Sequence, residues 1–275
     1  MRKKKTLQLL PLGKAVFALS AFLIAALSSA RADEPCKLTT VTGPYVIATL
    51  GQEAGGYATT LFVITSDGNG NLSGSGTESL KGAIFSNVTA AGTYTANSNC
   101  WFTATTTDSL GNVRNLAGTI SQIDGKLRGE RIDGISADSG TNWQFTAFRQ
   151  HLTQCSLSSG AGYFVSAVQS PLTPYGSSTA TQQWYINKKG SGTGSWVANV
   201  NGTVAQGTAT ATFSFNSDCT YTSTVTNSDG TTGHLFGVQG INENPDDVGW
   251  LAIETDTGWV SLSIGTANCP HWPKC

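Results

Sequence analysis

The chain has 275 residues, with 16 Lys or Arg against 17 Asp or Glu and a formal net charge of −1. Charged residues make up 12% of it and Gly accounts for 32 positions, where an average domain is ~25% charged and ~7% Gly. Low charge with abundant Gly, Thr and Ser disfavours a helical protein, and without a basic excess the chain is a poor candidate for nucleic acid or for an anionic membrane surface.

The N-terminus departs from that balance. Six bases (Arg2, Lys3, Lys4, Lys5, Lys14 and Arg31) fall in the first 32 residues, which hold no acid. The remainder carries ten bases against seventeen acids, a balance of −7. A basic stretch, the apolar run Ala15–Leu27 and the small residues of Ala30-Arg31-Ala32 form the three parts of an export signal, with cleavage expected between Ala32 and Asp33. The apolar run is too short for the ~20 residues of a spanning helix. The mature chain is expected to be periplasmic or secreted, without a membrane span.

Beyond residue 32 the chain is written twice. Cys36 and Cys100 are 64 positions apart, as are Cys155 and Cys219, and the two pairs are displaced by 119. At that shift Thr93–Thr105 lies over Thr212–Thr224 without a gap, and Asp138–Gly140 matches Asp256–Gly258 at 118. A domain-sized period marks a tandem duplication rather than a solenoid. The expected organisation is a signal peptide at 1–32, a first repeat at 33–154, a second at 155–268 and a cysteine-closed tail at 269–275.

Within each repeat the period is two. Phe213, Phe215, Cys219, Tyr221 and Val225 alternate with hydroxylic residues, which gives a strand one buried and one wet face. Turn signals recur at Asp67-Gly68, Asp108–Asn112, Asp124-Gly125, Asp138–Gly140 and Asn227–Gly230. The pattern predicts an all-β protein of two tandem antiparallel β-barrels, about eight strands each. Closure is favoured over a sandwich because it leaves no exposed edge.

The layout of Cys36, Gly43 to Tyr45, Ser66 to Asn71 and Gly92 to Cys100, with a weaker echo at Gly162-Tyr163 and Thr212 to Cys219, resembles secreted bacterial proteins with allene-oxide-cyclase-like, calycin-type barrels. The likeness rests on turn and strand residues and implies fold rather than activity. That group has no assigned reaction, and no catalytic residue follows from it. An isomerase or cyclase reading would stand on fold analogy alone. The second repeat departs at residues 187–195, where Asn-Lys-Lys-Gly-Ser-Gly replaces the Asp-Gly-Asn-Gly turn.

Six cysteines in an exported chain imply disulfides. One framework pairs Cys36–Cys100, Cys155–Cys219 and Cys269–Cys275. The other pairs Cys100–Cys155, Cys219–Cys269 and Cys36–Cys275. The first is favoured because each repeat then keeps its parent's bond. Cys269, His271 and Cys275 could be read as metal ligands, but a structural zinc site wants four, so a disulfide ring is expected and neither metal nor cofactor.

Asp67, Asn69, Asn71 and Glu78 match part of a calcium-loop pattern, yet Leu72 stands where the turn Gly belongs and Lys189 aligns with Asp67. A hairpin turn explains the same residues. The histidines are His151, His234 and His271, none recurs between repeats, and no nucleophile or phosphate motif is present. Glu243, Asp246, Asp247 and Glu254 could supply paired carboxylates, although Asp246-Asp247 has a turn composition. Lys126, Arg128 and Arg131 in the first repeat stand opposite Glu243, Asp246 and Asp247 in the second. They are read either as hairpins that face one another or as independently solvated loops.

Tryptophan is uneven too, with Trp101 and Trp143 in the first repeat and Trp184, Trp196, Trp250 and Trp259 in the second. The bland reading is core packing; the functional one is a pocket in the second barrel. The resulting expectation is an exported, non-catalytic binding protein with a small apolar ligand in a barrel interior. Its alternative is a structural or adhesive surface module that contacts protein or glycan.

Overall fold

The structure, a computed structural model, describes residues 36–53, 55–124, 126–151, 154–158, 160–240 and 249–267. The export signal, the acids Glu243, Asp246 and Asp247, and the tail with Cys269, His271 and Cys275 lie outside the described residues.

Alternation of apolar and hydroxylic residues produces two eight-stranded barrels. Barrel one comprises β1 (Thr42–Glu53), β2 (Gly56–Asp67), β3 (Asn71–Leu80), β4 (Ala83–Ala96), β5 (Trp101–Asp108), β6 (Val113–Ile123), β7 (Gly129–Ser136) and β8 (Asn142–Arg149). Barrel two comprises β9 (Gly162–Leu172), β10 (Ser178–Ile186), β11 (Ser191–Val200), β12 (Thr203–Phe215), β13 (Thr220–Asn227), β14 (Thr232–Gln239), β15 (Gly249–Glu254) and β16 (Val260–Ala267). Each strand pairs antiparallel with the next, and β8 closes on β1 as β16 closes on β9. Neither barrel has an open edge to template aggregation.

One turn device recurs throughout. Asp67 Oδ1 accepts the backbone N–H groups of Asn69 and Asn71 at 2.7 and 3.0 Å. Asp108 does the same for Leu110 and Asn112, Asp124 for Lys126 and Arg128, and Asn187 for Lys189 and Ser191. A short side chain that bonds its own backbone two and four residues on needs no cation. The Asp67–Asn71 segment is therefore a hairpin turn, and Glu78 points away from it into the barrel.

The disulfides Cys36–Cys100 and Cys155–Cys219 both form, each across 64 residues. They join the segment ahead of β1 to the β4–β5 turn, and the segment ahead of β9 to the equivalent β12–β13 turn. At one end of barrel one a 3-10 turn, Leu38–Val41, forms a lid. Tyr94 Oη donates to the carbonyls of Leu38 and Val41, both at 3.0 Å, and Ser66 Oγ also donates to Val41.

The barrels share a core of their own. Val46, Ala48, Leu50 and Leu61, on the outer faces of β1 and β2, pack against Val238, Leu251, Ile253, Val260 and Leu262 from β14, β15 and β16. Six of these nine are completely removed from water. The β15–β16 turn is clamped to barrel one: Ser79 Oγ donates to the Trp259 carbonyl at 2.6 Å, and Gly258 N–H to the Gly82 carbonyl at 2.8 Å. A Cβ on Gly82 would lie 2.6 Å from Gly258 Cα, so this approach requires glycine. Within barrel one, Arg128 pairs with Asp124 at 2.6 Å and Arg131 with Asp133 at 2.9 Å. The described joint between the barrels thus combines an apolar core with backbone and hydroxyl hydrogen bonds, and these two bases are satisfied locally.

Candidate binding site

Barrel one carries buried charge at both ends. Away from the lid, Arg114 enters from β6 and its guanidinium meets three carboxylates. It contacts Glu78 through two parallel bonds at 2.9 and 3.0 Å, Asp108 at 2.7 Å and Glu53 at 2.8 Å. Glu78 is completely buried, and that burial pushes its carboxyl above the usual range despite the Arg114 pairing. Burial would raise Asp108 as well, but hydrogen bonds from Asn112 and Leu110 together with Arg114 hold it low. At the lid, Arg149 donates to the Gly129 carbonyl at 3.1 Å and to Tyr45 Oη at 2.8 Å, and pairs with Glu130 at 3.4 Å. His151 Nε2 lies 2.6 Å from Glu130. Fixed, mutually paired groups of this kind hold a barrel shut.

Barrel two is filled by aromatic rings laid over glycines of the neighbouring strand. Trp184 covers its cross-strand partner Gly194, where a Cβ would come within 2.6 Å of the ring, and Trp196 covers Gly207 at 2.7 Å. Trp250 lies over Gly265 and Tyr221 over Gly237 in the same way. Ring and missing side chain fit together, so these residues are core. The rings leave an internal cavity of about 30 Å³, bounded by Phe164, Gln182, Trp184, Phe213, Tyr221, Leu235 and Trp250. It suffices for a water or two and is too small for a lipophile.

Of the four tryptophans singled out by sequence, Trp184, Trp196 and Trp250 come together in the barrel. Trp259 does not; it sits in the β15–β16 turn beside barrel one.

Glu254, at the end of β15, shares a proton site with Asp256. Burial and the neighbouring Asp256 push Glu254 up to about 9, so it is a neutral acid at pH 7. Asp256 is held low, burial being outweighed by hydrogen bonds from Glu254 and His234. His234 Nδ1 is 2.8 Å from Asp256, and its backbone N–H donates to Asp256 and Glu254 at 2.7 and 3.1 Å. The group closes the barrel end at Gly233, whose missing Cβ leaves room for the Glu254 carboxyl.

Wider depressions lie outside, on the face of β9, β10 and β11. The first, of about 280 Å³, is lined by Tyr163, Tyr185, Gln183 and Ser195. The next, of about 640 Å³, shares Gln183 and Ser195 and adds Val165, Ala167, Thr181, Val197, Ile264 and, from barrel one, Phe148. A third, of about 510 Å³, continues from Ala167, Thr181 and Val197 to Gln169, Thr179, Asn199 and Val204. A fourth, of about 470 Å³, carries Gln169, Thr179 and Asn199 on to Leu50 and Gln144 of barrel one. Shared residues make them one trough. From Tyr163 to Ser170 it follows β9 for about 23 Å, at ~3.3 Å per residue.

The trough is free of charge. Between Cys155 and Ser217 the only residues charged at neutral pH are Lys188 and Lys189, both in the β10–β11 turn. Soluble proteins ordinarily intersperse both signs over about a quarter to a third of their surface. Here amides and hydroxyls alternate with Val165, Val197, Val204 and Ile264, of which the last three are exposed, and the Tyr163 and Tyr185 rings lie 4.9 Å apart at one end. The same gap is present in the sequence, but an absence over sixty residues is not a motif.

Neither a protein-family model nor a curated protein matches the chain. Among solved structures it is similar to isotype 1 transferrin binding protein B from serogroup B Neisseria meningitidis, at 8% identity and a TM-score of 0.32, covering 86% of this chain and 78% of that one.

Proposed function

We propose that the chain is an exported, non-catalytic binding protein that holds a neutral glycan strand along the outer trough of barrel two. The charge-free trough carries this reading. Its uncharged walls offer hydrogen-bonding side chains (Gln169, Thr179, Thr181, Gln183, Ser195, Asn199) around an aliphatic floor, with a tyrosine pair at the end. Apart from Arg131, which stacks on Phe148 at the barrel-one edge and pairs with Asp133, a charged ligand would find no counter-ion there, and desolvating it would go uncompensated. Both disulfides fit an oxidising compartment, in keeping with the basic and apolar N-terminus. A small apolar ligand inside barrel two is less well supported, since the rings leave only about 30 Å³.

The test is binding of the mature chain to a panel of neutral and charged polysaccharides, alongside Thr181→Glu and Val197→Lys, both on the trough. Binding of a neutral glycan that falls at least ~10-fold in either variant, about 1.4 kcal/mol, supports the proposal. Retention of charged polymers alone, or neutral binding that ignores both substitutions, rejects it.

A further inference from the structure

The face that carries the trough occurs twice in the chain, and the two copies differ. The pairing register aligns Phe164 and Trp184 of barrel two with Tyr45 and Ile64 of barrel one. Val46 and Ala48 then correspond to Val165 and Ala167, whereas Leu50 corresponds to Gln169, Leu61 to Thr181 and Val63 to Gln183. In barrel one this face packs into the interbarrel core. Its counterpart lacks the apolar residues that a second copy would need for the same contact. Nor is it merely solubilised, since the exchanges bring amides and a hydroxyl and not the charges of ordinary surface. An extended peptide would add to a sheet edge, and a closed barrel offers none.

The amides are not scattered. Gln183 is the cross-strand partner of Val165, Gln169 of Leu262 and Asn199 of Val204, and all six residues line the trough. Directly opposed side chains have Cβ atoms ~4.5–5.5 Å apart, so each pair puts an amide and a branched aliphatic group against the same small part of a ligand. Gln183 Nε2 also donates to Ser195 Oγ at 2.8 Å, which fixes that amide before a ligand arrives. A primary amide offers an acceptor oxygen and two donor hydrogens. Its complement is another amide, and the complement of the neighbouring aliphatic group is a methyl. An acetamido group combines the two. A polyol without it leaves the aliphatic member of each pair facing hydroxyls, and an ammonium in its place meets no carboxylate on β9–β12.

We propose, resting on the neutral-glycan reading above, that the strand in the trough is an N-acetylated hexosamine polymer. Its acetamido groups sit on the pairs Val165–Gln183, Leu262–Gln169 and Val204–Asn199.

The probes are two hexamers of equal length and linkage, β-1,4-linked N-acetylglucosamine and β-1,4-linked glucose, titrated into the mature chain by calorimetry. The N-acetylated hexamer is expected to bind at least ~10-fold tighter, the order by which a missing methyl or an unmatched polar group discriminates. In Val165→Thr/Val204→Thr, which exchanges one methyl of each side chain for a hydroxyl, that preference falls to within ~3-fold while the glucose hexamer binds as before. Should the double variant not fold, Val204→Thr alone serves, at a position 69% exposed, and narrows the preference in the same direction. Equal or tighter binding of the glucose hexamer, or a preference indifferent to these valines, overturns the N-acetyl assignment and leaves the neutral-glycan reading standing. Binding of neither hexamer overturns it too, and the polysaccharide panel then decides the broader reading by itself.

Discussion

Replacing Arg114 with methionine tests the reasoning about barrel one most severely. In the native protein one guanidinium serves Glu78, Asp108 and Glu53 over 2.7–3.0 Å. Methionine keeps the stem's volume but leaves three carboxylates with no cation, one of them wholly buried. Breaking a buried ion pair in this one-sided way costs about 3–5 kcal/mol. At ~2–4 °C per kcal/mol for a chain of this size, the midpoint falls by about 6–20 °C at pH 7. The sign of the pH dependence follows from the shifts. Glu78 already titrates above its ordinary 4.5, and losing Arg114 raises it further. A carboxyl raised in the folded state favours folding when protonated, so it costs nothing below 4.5 and progressively more as pH rises through its folded value. Asp108 is held below its ordinary 3.8 and adds stability above that value; without Arg114 part of that gain goes. Both effects shrink on acidification, so the variant and native curves converge towards pH 4. Urea unfolding at several pH values, followed by tryptophan fluorescence, measures this. A deficit that is constant from pH 7 to pH 4, or no deficit at pH 7, refutes the reasoning.

Three further outcomes are expected. Glu254→Gln matches the native protein near pH 4 and becomes the more stable form as pH rises from 4.5 towards the folded value of about 9, by at most about 1.4 kcal/mol per pH unit; parallel urea titrations decide it. Leu251→Ala, in the apolar layer between the barrels, lowers stability by about 2–5 kcal/mol and weakens the coupling of the two unfolding transitions in calorimetry. Replacing Cys155 and Cys219 together by serine removes a 64-residue loop closure and costs about 4 kcal/mol on loop-entropy reasoning, measurable against the native protein by chemical denaturation.

The barrels were legible because each strand that faces water on one side alternates, as Thr212–Phe215 and Thr220–Val225 do, and because Asx residues mark the turns. The disulfides followed from the repeated spacing alone. The interbarrel core was not legible. β15 runs Leu251-Ala252-Ile253 without alternation because both its faces are covered, and a strand of that kind does not announce what covers its outer side. Glu78 fits a calcium-loop spacing from Asp67, yet its surroundings depend on Arg114, a distant position that only the fold brings beside it. The tryptophans stand out as a group in the sequence, whereas the glycines that accept their rings lie on other strands: Gly194, Gly207 and Gly265 take those of Trp184, Trp196 and Trp250.

The most direct test of the trough as a binding surface is a map of backbone amide shifts on adding the neutral glycan selected by the polysaccharide panel. Assignment to the trough predicts perturbed amides along Tyr163–Gln169, Thr179–Tyr185 and Thr193–Asn199, with barrel one affected only around Phe148 and Leu50. Shifts concentrated elsewhere, such as around the exposed Trp101 and Ile135 of barrel one, would contradict it.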